Sequence, residues 1–192
     1  MVKVSKQKPI MLQRTSALAR VAVAGVYGAN KAAPGIVLRV VHPLSIVAVI
    51  ARKGKSRAVK RALDGLRGCM VLWAGPDQYF VQRSELADVS LLAELSARLS
   101  GLASITDQSH GRVVVGVSGS KVRHLLAKGT PVDLHADEFA VGACALTQMA
   151  HVGVHLTRVG EDAFELSVFR GFSESFWDWL TSQAVEFGYQ VI

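Results

Sequence analysis

The chain has 192 residues and a formal net charge of +7 at neutral pH, and it is 50% hydrophobic but only 19% charged. That length can bury a core in one large or two small domains. The most apolar segment, residues 36–51, contains Arg39, His42 and Pro43, which excludes a membrane span of about 20 apolar residues. We therefore expect a cytoplasmic protein that does not cross a membrane and whose apolar surplus faces a partner protein.

The charge is unevenly distributed along the chain. Residues 1–67 contain fourteen Lys or Arg and one acidic residue, for a net charge of +13, whereas residues 68–192 have a net charge of −6. A basic third is typical of proteins that bind nucleic acid, a membrane surface or an acidic protein. Tyr27 is the single aromatic residue of that third, so the interleaved aromatic residues of a nucleic-acid site are missing.

Residues 1–35 are predicted to form an N-terminal arm that is partly helical over residues 15–26. The arm has little periodicity, yet it contains apolar side chains that are costly to leave in water: Met11, Leu12, Leu18, Val21, Val23 and Val26. We expect contacts with a partner to order it.

Residues 36–106 are predicted to form the first half of the fold. Residues 36–41 are β-rich, and strands are then predicted at 44–51, 69–74, 79–82 and 102–106, with helices at 52–66 and after Ser84. From Leu44 onward the order is β-α-β-β-α-β, that of a ferredoxin-like unit. One face of the first helix carries Lys53, Arg57, Lys60 and Arg61, and we expect this face to be solvated.

Residues 107–192 are predicted to form a second ferredoxin-like half of an α+β fold. Residues 107–120 open it: a polar segment turns at Gly111, a valine-rich strand follows at 112–117, and a helix follows at 121–128. Further strands are predicted at 149–159, 164–169 and 189–192, a helix at 173–187, and a loop insertion at 128–147.

The two halves match at a constant offset of 85 residues from their hairpins onward. Turn residues and core residues coincide together, as Gly75 with Gly160, Asp77 with Asp162, Tyr79 with Phe164, Val81 with Leu166, and Leu95 with Leu180. A fixed offset that matches both kinds of residue indicates an internal duplication.

Motifs for catalysis or cofactor binding are incomplete. The sequence Gly54-Lys55-Ser56 resembles the end of a phosphate-binding loop, but Val49 stands where that loop needs its first glycine. His151 and His155 are predicted on the same side of one strand, without a third metal ligand at motif spacing. His110 is the most site-like histidine, although a histidine in a turn is more often structural. We expect the two cysteines, Cys69 and Cys144, to be reduced core thiols.

Four segments resemble the gamma subunit of heterotetrameric sarcosine oxidase: LWAGPDQYFV at 72–81, DQSHGR at 107–112, GACALTQMAHV at 142–152 and FSESFWDWL at 172–180. That family is related to the folate-binding fold of the glycine-cleavage aminomethyltransferases. The resemblance implies a complex with alpha, beta and delta subunits that oxidises sarcosine to glycine. The methyl carbon leaves as formaldehyde or 5,10-methylenetetrahydrofolate, and oxygen becomes hydrogen peroxide. It also implies that other subunits hold FAD, FMN, NAD, tetrahydrofolate and zinc.

One departure from the wider relatives concerns folate. Aminomethyltransferases carry an acidic pair before the strand that leads into an Arg-x-Gly-Glu-Asp-type turn, and alignment on residues 158–162 places that pair at Val152 and Gly153. We therefore predict a non-catalytic structural subunit with no catalytic, cofactor-binding or metal-binding residues. Two other functions stay open, namely a stand-alone folate-dependent one-carbon transfer enzyme and a nucleic-acid-binding module.

Overall fold

The computed structural model describes residues 14–29, 32–84 and 90–192. They form two β-sheets, each with helices packed on one face. This mixed α+β architecture agrees with the prediction. No helix within the described ranges is both long enough and apolar enough to cross a membrane.

The smaller sheet is built from the first half of the chain. Its elements in chain order are β3 (Leu44–Ala51), α1 (Ser56–Asp64), β4 (Met70–Gly75), β5 (Gln78–Ser84), α2 (Leu91–Arg98) and β6 (Ala103–Asp107). The strand order is β4-β5-β3-β6, and all neighbours are antiparallel. Alternate residues such as Val47 and Val49 point to one face, where Val59 and Leu63 of α1 and Leu95 of α2 cover them.

The larger sheet and its helices comprise β1 (Gly25–Tyr27), β2 (Ile36–Val40), β7 (Arg112–Ser118), α3 (Val122–Ala127), β8 (Cys144–Met149), β9 (Val152–Gly160), β10 (Ala163–Phe169), α4 (Ser173–Ala184) and β11 (Tyr189–Val191). The order of its seven described strands is β1-β11-β2-β7-β10-β9-β8. Short 3-10 turns flank α4 at Arg170–Phe172 and Val185–Phe187. The largest core cluster lies between this sheet and α3 and α4, around Phe164, Phe176 and Leu180.

Strand β2 lies in the larger sheet, although the prediction placed residues 36–41 with the first half. It runs parallel to β11 on one side and antiparallel to β7 on the other. Ile36 and Leu38 are fully buried in the larger core. An apolar strand can pair with a strand of either sheet, so the local sequence pattern does not decide which sheet residues 36–41 join.

The N-terminal arm differs from its prediction in the part that the structure describes. Residues 17–21 form a turn rather than a helix, and β1 then pairs with the edge of β11. Leu18 is fully buried in the larger core of this same chain. Strand β1 ends at Tyr27, directly before Gly28, whose positive φ of 83° is a conformation that glycine adopts without strain. Residues 14–29 thus make contacts within this chain, whereas Met11 and Leu12 lie outside the described residues.

The strand predicted at 149–159 is present as β9, but it begins at Val152, because residues 150–151 form a turn after β8. Ala150 and His151 have positive φ values of 49° and 65° and form the two-residue turn between β8 and β9. Residues 144–147 of the predicted insertion therefore belong to the sheet edge. The remaining loop is fixed by Arg158, which is 5% exposed and donates hydrogen bonds to the carbonyls of Ala136 and Phe139 at 3.0 and 2.6 Å.

The two hairpins β4–β5 and β9–β10 share one register at the offset of 85 residues. Trp73 pairs with Tyr79 and Gly75 with Gln78 in the first hairpin. Arg158 pairs with Phe164 and Gly160 with Ala163 in the second hairpin. Both hairpins also have their register shift at the same place. This geometry supports the internal duplication.

Candidate functional site

The joint between the two sheets is a hydrogen-bonded turn at residues 107–112. The Asp107 carboxylate accepts hydrogen bonds from the Ser109 backbone N–H at 2.8 Å and from its hydroxyl at 2.5 Å. The Ile46 N–H donates to the same hydroxyl at 3.0 Å, which ties the turn to β3. Burial raises the pKa of Asp107, but the hydrogen bonds from Ser109 and the nearby charges of His110 and Arg14 outweigh it and lower the pKa overall.

Arg112 begins β7 directly after this turn. Its guanidinium carbon lies 4.5 Å from the ring centroid of Phe80 and 4.4 Å from that of Phe169, which are cation–π distances. Phe169 is the residue paired with Arg112 across β7 and β10. Burial lowers the pKa of Arg112, although the guanidinium stays charged at any physiological pH.

His155 lies beside this group and connects the two sheets. It is 1% exposed, and its Nε2 donates a 2.8 Å hydrogen bond to the carbonyl oxygen of Trp73. Since Nε2 carries the proton, Nδ1 accepts, and the Thr157 hydroxyl lies 3.4 Å away. Burial lowers the pKa of His155, the bond to Trp73 opposes that shift, and the charge of Arg112 adds to it. The imidazole of His155 is therefore neutral at pH 7.

A cavity of about 350 Å³ opens beside Arg112 and His155. Its remaining lining consists of Leu146, Thr147, Gln148, Gly153, Val154 and Phe169. Phe169 is 49% exposed and Leu146 is 52% exposed. The cavity is thus a mainly apolar recess whose described lining residues include the cation Arg112 and no acidic side chain.

A smaller cavity of about 30 Å³ also borders Arg112. Its basic lining residues are Arg14, His42, His110, Arg112 and Arg170. A space of this size accommodates little more than water. His110 is exposed there, so its side chain borders the cavity without being enclosed by the protein.

The same face of the larger sheet carries a half-buried acidic residue, Glu165. Gly116 of β7 pairs with Arg39 on one side and with Glu165 on the other. Because Gly116 lacks a side chain, Arg39 lies across it, with Nε 3.7 Å from the place a Cβ would occupy. Burial raises the pKa of Glu165, and the charge of Arg39 lowers it only in part.

The structure does not bring the other sequence candidates together. The prediction that His151 and His155 share a strand face is wrong, because His151 lies in the exposed turn. Lys55 is exposed at the start of α1. Cys69 and Cys144 are not joined in a disulfide, and each is only partly buried rather than in the core. Within the described ranges, no group of three or more His, Cys, Asp or Glu could hold a metal ion.

Sequence reasoning missed the cluster of Phe80, Arg112, His155 and Phe169. These residues come from four strands of two sheets. Arg112 looked like an ordinary polar residue before a valine-rich strand. The register that pairs it with Phe169 is the signal that could have found it.

The sequence profile described as "Sarcosine oxidase, gamma subunit family" matches residues 46–186. The sarcosine oxidase subunit gamma of Corynebacterium sp. strain U-96 is 31% identical over 135 residues, which cover 70% of this chain and 65% of that protein. The subunit gamma of Corynebacterium sp. strain P-1 is 33% identical over 135 residues, which cover 70% of this chain and 66% of that protein. The match thus spans just under two thirds of these relatives.

Solved structures share the fold over a longer range. A chain of the heterotetrameric sarcosine oxidase from Corynebacterium sp. U-96, solved with pyrrole 2-carboxylate, superposes with a TM-score of 0.76 at 27% identity, covering 91% of this chain and 96% of that chain. The glycine cleavage system aminomethyltransferase T from Bartonella henselae superposes with a TM-score of 0.64 at 15% identity, covering 90% of this chain and 60% of that chain. The second likeness shows a common fold alone. From the profile match and these relatives together, the chain belongs to the sarcosine oxidase gamma subunit family.

Proposed function

We propose that this chain is the gamma subunit of a heterotetrameric sarcosine oxidase and assembles with alpha, beta and delta subunits in the cytoplasm. The complex oxidises sarcosine to glycine and releases the methyl carbon as formaldehyde or 5,10-methylenetetrahydrofolate, with hydrogen peroxide as the reduced product of oxygen. The superposition on a chain of the Corynebacterium heterotetramer, over 96% of that chain, carries this proposal.

Within this complex the chain has a structural rather than a catalytic role. The aligned position of the aminomethyltransferase acidic pair holds Val152 and Gly153. Val152 packs against the larger core, and no atom lies within 4 Å of the place where a Cβ of Gly153 would be. These residues supply no carboxylate for a folate amine. FAD, FMN, NAD, tetrahydrofolate and zinc then belong to the other subunits.

Exposed apolar side chains support the assembly. Trp73 is 47% exposed, Phe169 49% and Phe172 55%. Large aromatic residues at a surface are costly in water and are typical of protein interfaces. An isolated chain is therefore expected to self-associate, whereas the chain within the complex is not.

The fold proposal extends to the two halves. The β4-β5-β3-β6 sheet and its two helices follow the ferredoxin-like order. In the larger sheet, β9, β10, β7 and β11 occupy the equivalent places, with β2 inserted between β7 and β11. We infer two ferredoxin-like halves, of which the second is extended by three strands: β2 between β7 and β11, β8 at one edge and β1 at the other.

Co-expression tests the proposed function. This chain is expressed with the alpha, beta and delta subunits of the same organism, and sarcosine-dependent oxygen consumption is measured with and without it. We expect a four-chain complex with flavin absorbance when the chain is present, and a colourless chain without oxidase activity when it is purified alone. Failure of the wild-type chain to co-purify with the other three, or flavin retained by the isolated folded chain, would contradict the proposal.

A further inference from the structure

Arg112 is a partly buried arginine whose polar contacts contrast with those of Arg158 and Arg123. Its Nε is buried and has no hydrogen-bond partner among the described residues, and none of the described ion pairs includes it. Arg158, by contrast, donates to four backbone carbonyls, and Arg123 forms an ion pair with Asp162. Buried charges are normally paired, so Arg112 is a site where an acceptor is expected.

The geometry around Arg112 indicates which acceptor fits. The rings of Phe80 and Phe169 both lie against the guanidinium carbon, at 4.5 and 4.4 Å, so an acceptor must approach the N–H groups at the edge of the guanidinium plane. A carboxylate is planar and accepts two parallel hydrogen bonds from that edge. His155 does not fill this role: its Nε2 is the donor to the carbonyl of Trp73, and its accepting Nδ1 lies 3.4 Å from the Thr157 hydroxyl.

The walls of the 350 Å³ cavity indicate where the carboxylate comes from. Phe169 and Leu146 are each about half exposed, with Thr147 and Gln148 beside them. A small free carboxylate would leave these apolar side chains in water, whereas a protein surface would cover them. An arginine held between aromatic rings, with polar residues at the edge of the recess, is typical of an interface hot spot.

We propose that this recess, the Arg112 site, receives an Asp or Glu side chain of another subunit, flanked there by apolar residues. This inference rests on the proposed function, since it needs the other subunits as partners. The charge is complementary, because the part of the cavity lining that the structure describes contains a cation and no acid. The larger sheet would then dock onto the other subunit at the Arg112 site.

The first test compares dissociation of the assembled complex for the wild-type chain and three variants. Arg112→Met keeps length and apolar packing but removes the charge, and truncating one partner of a buried charged pair acts mainly on dissociation. We expect the variant chain to dissociate at least about tenfold faster than the wild-type chain, with Arg112→Lys in between because lysine lacks the planar fork. Arg57→Met, at an exposed position of α1, is the matched control and should dissociate at the wild-type rate.

A photo-crosslinking amino acid at Leu146, on the rim of the same cavity, identifies the occupant. We expect a crosslink to a peptide of another subunit that contains an Asp or Glu, and replacement of that acid by Asn or Gln should accelerate dissociation as Arg112→Met does. A crosslinked peptide without an acidic residue, or no intersubunit crosslink in an assembled complex, overturns the inference.

Two further outcomes separate the possible failures. If the wild-type chain does not assemble with the other subunits, the proposed function itself fails. If Arg112→Met assembles and dissociates like the wild type, only the inference fails. In that case, an acetate-induced rise in the thermal midpoint of the wild-type complex that is absent in Arg112→Met would assign the site to a free carboxylate.

Discussion

His155 of β9 donates a hydrogen bond of 2.8 Å to the backbone carbonyl of Trp73, a residue 82 positions earlier on β4. The bond joins β9, the second strand of the larger sheet, to β4 at the edge of the smaller sheet, near the place where β4 and β8 lie side by side. The same imidazole meets the Phe80 ring edge-on, with centroids 5.2 Å apart. A single buried histidine on the larger sheet is therefore hydrogen-bonded to the backbone of the smaller sheet.

Stability should fall in mild acid because of this histidine. Burial lowers the pKa of His155 from the 6.5 of an ordinary histidine, so below that pH the unfolded chain binds a proton that the folded chain resists. The contribution is complete above the unfolded pKa and is lost as pH falls from that value toward the folded one. Urea unfolding of the wild type between about pH 7.5 and about pH 5 should show this loss.

His155→Gln should flatten that pH dependence, because glutamine can donate to the Trp73 carbonyl but does not titrate. His151→Gln is the matched control, since His151 is exposed in the adjacent turn, and it should keep the wild-type slope. A His155→Gln variant whose slope equals that of the wild type would show that another group is responsible.

Glu165 should have the opposite pH dependence. Burial raises its pKa above the 4.5 of an ordinary glutamate, so the folded chain holds a proton that the unfolded chain releases, and this stability is lost as pH rises through the folded pKa. Glu165→Gln resembles the protonated form and should raise the free energy of unfolding at neutral pH, with no gain below about pH 4. Glu161→Gln, at an exposed turn position, should change stability little. Equal stability of wild type and Glu165→Gln at neutral pH would argue that Arg39 fully neutralises the carboxylate.

The parts of the fold that the sequence predicted are those with local signals. Gly75 and Gly160 mark two hairpins whose registers agree at the predicted offset. Leu95 and Leu180, which are matched by the same offset, are both fully buried. Turn residues and helical leucine spacing act over a few residues, so a single sequence carries them.

The parts of the structure that the sequence did not predict depend on pairing between strands that are far apart in the chain. Strand β2 could pair with either sheet. Its place depends on β7, about 80 residues later in the chain, and on β11, about 150 residues later. The Arg112 site depends on the register of β7 with β10 and on Phe80 from the other sheet. His155 is buried on a strand whose two faces are both covered, and polar alternation alone does not reveal a covered face.

Gly129 should tolerate no side chain, because Trp179 packs against it. A Cβ at this position would lie 2.3 Å from the Cη2 atom of the indole ring, and the ring cannot shift freely, since it is partly buried against the larger core. Gly129→Ala should lower the free energy of unfolding by about 1–3 kcal/mol. Gly171→Ala is the matched control, because no atom lies within 4 Å of its Cβ position, and both variants are compared by urea unfolding. Equal stability of the two variants would mean that Trp179 moves aside without cost.

Arg158 should hold the loop between α3 and β8 in place. The loop residues Ala136 and Phe139 accept hydrogen bonds from one terminal nitrogen of its guanidinium, while Nε and the other terminal nitrogen donate to the carbonyls of Gly160 and Glu161. Lysine has one ammonium group on a flexible stem and cannot reach all four carbonyls. Arg158→Lys should therefore leave buried carbonyls unpaired and lower the free energy of unfolding by about 2 kcal/mol or more.

The local effect of Arg158→Lys is the sharper measurement. Hydrogen exchange of amides in residues 128–143 should accelerate more than exchange in β9 and β10, because the loop loses its anchor while the sheet keeps its ladder. Arg57→Lys, on the exposed face of α1, controls for the exchange of arginine for lysine and should alter neither quantity. Uniform acceleration across the whole larger sheet would show instead that Arg158 supports the sheet itself, and unchanged exchange in the loop would show that its own contacts, such as the buried Leu134 and Phe139, are sufficient to hold it.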